Sequence, residues 1–175
     1  RHVTSLLHRI YTLEEGVAVN PVLTFDERGH KKNRVQYYAL GAEDDGTKPV
    51  GFYPVVEDFI GEGGSLAAPG ALYEGLTPQK AGIEIDGYEA LGGIVYADKK
   101  IEAGESASWI IMMGIQESDN VEADSVWMTS LQQIYSRYAS LINLNQAYEQ
   151  TKQTWRERVK ASYQSGDHEF DQFMN

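Results

Sequence analysis

Apolar residues recur at short spacing through the first two thirds of the chain and at a longer spacing thereafter. Runs rich in β-branched and aromatic residues at 6–13, 22–25, 35–40, 93–97 and 108–115 predict strands, separated by glycine- and proline-bearing turns. Residues 101–106, with Gly104 supplying a positive φ, predict a tight turn that joins the last two runs as antiparallel neighbours. Residues 41–87 predict a long connection, punctuated by glycines at 61, 63 and 64, Pro69-Gly70 and Thr77-Pro78. A connection of that length in a compact domain usually carries function.

After Ser118 the period becomes helical. Trp127, Leu131, Ile134, Tyr138 and Leu141 recur three or four apart, behind an acidic start at Asp119, Glu122 and Asp124. A second helix is predicted from about Asn143, with Leu144, Tyr148, Thr151, Trp155 and Val159 on one face and Glu149, Lys152, Arg156 and Lys160 on the other, ending at Gly166. Two such helices with a short link predict a folded-back hairpin. Asp167 then reads as an N-cap, with Phe170, Phe173 and Met174 opening a third apolar face that stops at Asn175. Both ends of the chain read as cut.

The 175 residues, 42% hydrophobic and 23% charged, have the composition of a globular domain. A net charge of -11 opposes nucleic acid and anionic lipid, so neither is an expected partner, and the longest apolar run, 109–113, is too short for a membrane span. With no cysteine there is no disulfide framework, thiolate metal site or catalytic thiol, which fits a reducing, cytoplasmic setting. The histidines, His2, His8, His30 and His168, lack metal-ligand spacing, and Glu43-Asp44-Asp45-Gly46 lacks the alternating oxygen donors of a calcium loop and reads as a solvated turn. No metal or organic cofactor is expected. Nucleophile-elbow, phosphate-loop and dinucleotide motifs are absent from the sequence.

Two segments could carry chemistry. Arg28, His30, Lys31, Lys32 and Arg34 crowd into seven residues of an acidic protein, either as an anion site or as a solvated hairpin turn in which Gly29 and Asn33 are the turn residues. In 51–65, Phe52, Tyr53, Glu57, Asp58 and Phe59 combine rings that could stack on a sugar with carboxylates that could accept its hydroxyls; the plainer alternative is that the rings anchor a long loop. Glu57 and Asp58 are adjacent, a poor arrangement for paired-carboxylate catalysis, which needs two carboxyl groups facing one bond roughly 5 to 9.5 Å apart.

Three stretches, Thr-Phe-Asp-Glu-Arg-Gly-His-Lys-Lys-Asn-Arg-Val (24–35), Val-Gly-Phe-Tyr-Pro-Val-Val-Glu-Asp-Phe-Ile-Gly (50–61) and Ser-Gly-Asp-His-Glu-Phe-Asp-Gln-Phe-Met-Asn (165–175), resemble glycoside hydrolase family 94, the bacterial carbohydrate phosphorylases once called glycosyltransferase family 36. The likeness is to the branch near β-1,2-oligoglucan phosphorylases and cyclic β-1,2-glucan synthases. It implies a mainly β fold with appended α: the later strands of an antiparallel β-sandwich of supersandwich, galactose mutarotase-like type (1–117), a linker helix pair (118–165) and the first helix of an (α/α)6 catalytic barrel (166–175). The family's general acid, phosphate ligands and most sugar subsites would lie beyond Asn175, so no catalytic residue is assigned. The parent would use inorganic phosphate as co-substrate on an oligosaccharide. It would bring this region together with its N-terminal strands, its barrel and a second copy in a homodimer, and 51–65 would reach toward the active site. Two other functions are open: a stand-alone carbohydrate-binding module and a purely structural dimerisation module.

Overall fold

The structure, a computed structural model, describes residues 8–21, 23–26, 29–32, 34–117, 124–159 and 164–174; the side chains of 23–26, 29–32 and 124–127 lie outside the description. Among the described residues nine strands and five helices follow in order: β1 (His8–Thr12), β2 (Gly16–Pro21), β3 (Leu23–Asp26), β4 (Gly29–Lys32), β5 (Val35–Glu43), β6 (Gly51–Val55), α1 (Val56–Ile60), α2 (Gly70–Tyr73), β7 (Glu84–Asp86), β8 (Ala90–Val95), β9 (Trp109–Glu117), α3 (Asp124–Tyr138), α4 (Leu141–Arg158) and α5 (His168–Met174). The chain is mainly antiparallel β with appended helices.

A five-stranded sheet of order β7-β1-β2-β5-β9 forms the centre, every pair antiparallel. Because side chains alternate across a strand, the sheet has two apolar faces built from interleaved positions. Tyr11, Ala18, Leu40, Ala42, Ile110 and Met112 point to one face and pack against Leu131, Tyr135 and Ala139 of α3 and its C-terminal end. Ile10 and Val17 point to the other and pack against Phe52 and Val55 of β6. There β6 and β8 pair as a second layer, β6 over β1 and β2, β8 over β2 and β5. The layers meet closely where glycine lets them: a Cβ on Gly92 would come within 2.7 Å of the Ala39 Cβ, and one on Gly41 within 2.8 Å of Ile94 Cγ2.

Several expectations need correction. Residues 93–97 and 108–115 do not pair with each other: β8 pairs with β6, and β9 pairs with β5 along its whole length from Val35↔Glu117 to Glu43↔Trp109. The turn between them is real, with Gly104 at φ 88° and the Glu105 N–H donating to the Glu102 carbonyl, but it connects two layers rather than two strands of one sheet. The stretch 41–87 is not one loop, since it holds β6, α1, α2 and β7. β2 was not predicted at all. Its pattern, Gly-Val-Ala-Val-Asn-Pro, is buried on both faces and so shows no alternation to read.

The helices begin where expected and pack differently. α3 turns Leu131, Tyr135 and Ala139 inward, one position away from the predicted stripe through Ile134 and Tyr138, which are only partly buried; the side chain of Trp127 lies outside the described residues. Ser140 caps α4 by accepting the Asn143 N–H at 3.3 Å, two residues after α3 ends. α4 buries no residue, so its apolar face is not folded back against α3. Asp167 caps α5 as predicted, accepting the N–H groups of Glu169 and Phe170 at 3.0 and 3.1 Å.

Candidate functional site

β6 leaves the second layer at a bulge between Tyr53 and Val55, where Pro54 interrupts the pairing with β8 because it has no N–H to give. The chain then turns into α1, ends it at Gly61 (φ 70°), whose N–H returns to the Glu57 carbonyl at 3.0 Å, and passes through Gly63 (φ 74°) and Gly64 toward α2. Gly64 is obligatory, since a Cβ there would sit 1.8 Å from the Ile60 carbonyl oxygen. The result is a compact excursion on the outer side of the second layer.

Within it the five sugar-site candidates divide. Phe52 is 2% exposed in the core with Ile10, Val17 and Val55, and Tyr53 is buried with its hydroxyl donating to the Leu76 carbonyl. Neither offers a free ring face, so both act as anchors. Phe59 is half-buried, its ring edge-on to Tyr53 at 5.5 Å between centroids. Glu57 is exposed, and Asp58 is half-buried, its Oδ2 accepting from Gln79 Nε2 at 3.4 Å. Of these five candidates the excursion can therefore present to a ligand one ring and two carboxylates, on a five-residue helix.

The basic cluster falls on the β3–β4 hairpin, whose register, Leu23↔Lys32 through Asp26↔Gly29, places His30, Lys31 and Lys32 on β4 rather than in a turn. Arg28 and the side chains of His30, Lys31 and Lys32 lie outside the described residues, and Arg34 is exposed beyond the strand. The acidic turn at 43–46 is an Asx turn, with Asp45 Oδ1 accepting the Thr47 N–H at 2.8 Å, which holds the Asp45 carboxyl below its ordinary value. It also secures the helices: the Gly46 carbonyl accepts from the Tyr135 hydroxyl at 3.0 Å and the Asp44 carbonyl from the Leu141 N–H at 3.0 Å.

A second concavity, of about 610 Å³, lies between the β1–β2 turn, residues 81–84 and α3, with Thr12, Glu14, Glu15, Lys48, Met128 and Gln132 among its lining. Lys48 Nζ donates to Glu14 Oε2 at 2.5 Å and Glu15 Oε1 at 2.8 Å. Those hydrogen bonds raise the Lys48 ammonium above the usual lysine range and pull the Glu14 carboxyl below its own. One cation thus serves two carboxylates, and the rim stays acidic. Nothing in the sequence announced this triad, because its members are 33 and 34 residues apart.

Among the described residues no group of three His, Asp or Glu converges to hold a metal ion, and no helix is long and apolar enough to cross a membrane. No protein-family model matches the sequence, and no curated protein matches it significantly.

Proposed function

We propose that this chain is the non-catalytic sandwich and linker region of a carbohydrate-active phosphorylase resembling glycoside hydrolase family 94, acting in its parent on β-linked gluco-oligosaccharides. The observation that carries the reading is the order of elements combined with what they leave uncovered. Antiparallel layers are followed by a helix pair whose long member, α4, exposes Leu144, Tyr148, Trp155 and Val159 along one face, then by a capped helix exposing Phe170 and Phe173. Contiguous apolar faces of this kind on soluble proteins are normally covered by a partner surface. A catalytic helical barrel packed on α4 and α5 suits them, and the scarcity of chemistry in the described residues suits a scaffold.

In the parent, inorganic phosphate attacks the anomeric carbon and a carboxylic acid outside this chain protonates the leaving oxygen, inverting the configuration. This region orients the barrel, and the α1 excursion, through Glu57, Asp58 and Phe59, forms one wall of the acceptor site. The test is to read the gene past the codon for Asn175, express the longer product and assay it on β-1,2-, β-1,3- and β-1,4-linked gluco-oligosaccharides. Phosphate-dependent release of glucose 1-phosphate is expected. Cleavage that proceeds equally well without phosphate, or a frame encoding no helical barrel, overturns the reading.

A further inference from the structure

Among the described strands, the second layer stops one strand short of the sheet it covers. β6 has a neighbour on its outer edge, where Phe52 and Gln79 exchange N–H to carbonyl bonds at 2.9 and 2.8 Å. β8 has no such neighbour among the described strands, and since it lies over β2 and β5, the next position in its layer lies over β5 and β9. The sheet surface there is apolar and open: Ile111, Met113 and Ile115 are 62%, 78% and 61% exposed, and Tyr37, opposite Ile115 in the register, is about half exposed. Their neighbours Ile110 and Met112, on the other face of the same strand, are buried. At one end the position is already closed by Tyr96, whose hydroxyl donates to the Ile110 carbonyl at 3.1 Å and whose ring tilts against Trp109.

We infer that this position receives one extended β-strand from another polypeptide segment, paired to the outer edge of β8 and laying alternate apolar side chains on Tyr37, Ile111, Met113 and Ile115. Two further observations say what kind of occupant fits. Residues 90–97 and 107–116 contain no charged side chain, whereas exposed sheet edges are ordinarily blunted by lysine, proline or a bulge, so the occupant is an uncharged strand rather than water. The position also deepens into a groove of about 460 Å³ lined by His8, Val19, Tyr37, Ala39, Gly92 and Met113, and the Nδ1 of His8 is buried without a partner. A lipid chain would leave that nitrogen unmet; a peptide brings N–H and carbonyl groups that can meet it. The inference does not rest on the phosphorylase reading, because a chain with no barrel would carry the same gap.

The test uses the whole chain and a nine-residue peptide of alternating threonine and valine, with a lysine at each end for solubility, alongside the same peptide carrying proline at its centre. Binding by the alternating peptide is expected, with slowed hydrogen exchange at β8 amides, binding weakened at least about tenfold by Met113→Lys and unchanged by Ile142→Lys on the exposed side of α4. Equal binding of the proline peptide, no binding of either, or protection confined to the outer edge of β9 would each overturn it. So would sedimentation of the unliganded chain as a dimer that Met113→Lys dissociates, since the occupant would then be a second copy packed face to face.

Discussion

Tyr135 shows how much of this fold turns on single polar contacts at its seams. Its ring sits in the core between α3 and the sheet, while its hydroxyl reaches out to the Gly46 carbonyl at 3.0 Å, so one side chain both fills the interface and fixes the turn after β5. Tyr135→Phe keeps the ring and removes the bond, and is expected to cost about 0.5 to 1.5 kcal/mol in urea unfolding at neutral pH. Burial also raises the Tyr135 hydroxyl above its ordinary value of 10.0, so the folded state holds that proton more tightly than the unfolded state. The resulting stability is full below pH 10 and is lost as pH rises through the folded value. Wild type should therefore weaken more steeply than Tyr135→Phe as pH rises above 10, and Tyr96, raised by burial and then by the neighbouring Tyr135 phenol, adds to the difference in the same direction. Parallel curves for the two proteins would contradict this account.

Among the elements, those with a one-sided pattern were legible and those without one were not. β5 and β9 were found because each alternates or carries a long β-branched run, and α5 was found from its cap; β2 and β6, buried on both faces, gave only short apolar runs next to glycine and proline. Which strands pair could not be read, because pairing between β5 and β9 spans some seventy residues and the short turn near Gly104 suggested a local partner instead. Among the candidate site residues, periodicity could not tell that Phe52 and Tyr53 face inward while Phe59 lies half-buried on a helix. The same limit governs the helices, since period alone says which residues share a face and not whether anything covers it. Leu131, 2% exposed, should lose about 2 to 5 kcal/mol on truncation to alanine. Trp155, read from the sequence as a packed residue, is 59% exposed, and Trp155→Ala should stay within about 0.5 kcal/mol of wild type. Denaturant midpoints of the two variants decide it, and a large loss at Trp155 would mean that α4 is docked in solution.

For the whole molecule, the chemistry and the architecture point the same way. The net charge of -11 coexists with exposed apolar side chains on β9, α4 and α5 and, on α2, at Leu72 and Tyr73, and the stretch 107–116 that contains most of β9 has no charged residue. The carboxylates read from the sequence as a sugar-binding pair, Glu57 and Asp58, sit on consecutive positions of α1. Consecutive helical residues diverge by about 100° around the axis, so the two groups cannot face a single glycosidic bond from opposite sides. Asp58 is moreover engaged by Gln79. The isolated chain should accordingly release no glucose 1-phosphate and no reducing sugar from any gluco-oligosaccharide, with or without phosphate, above a heat-inactivated control. Glu57→Gln and Asp58→Asn should leave that zero unchanged. Turnover that either amide substitution abolishes would show that α1 carries an active centre, and would overturn the proposal that this region is a scaffold.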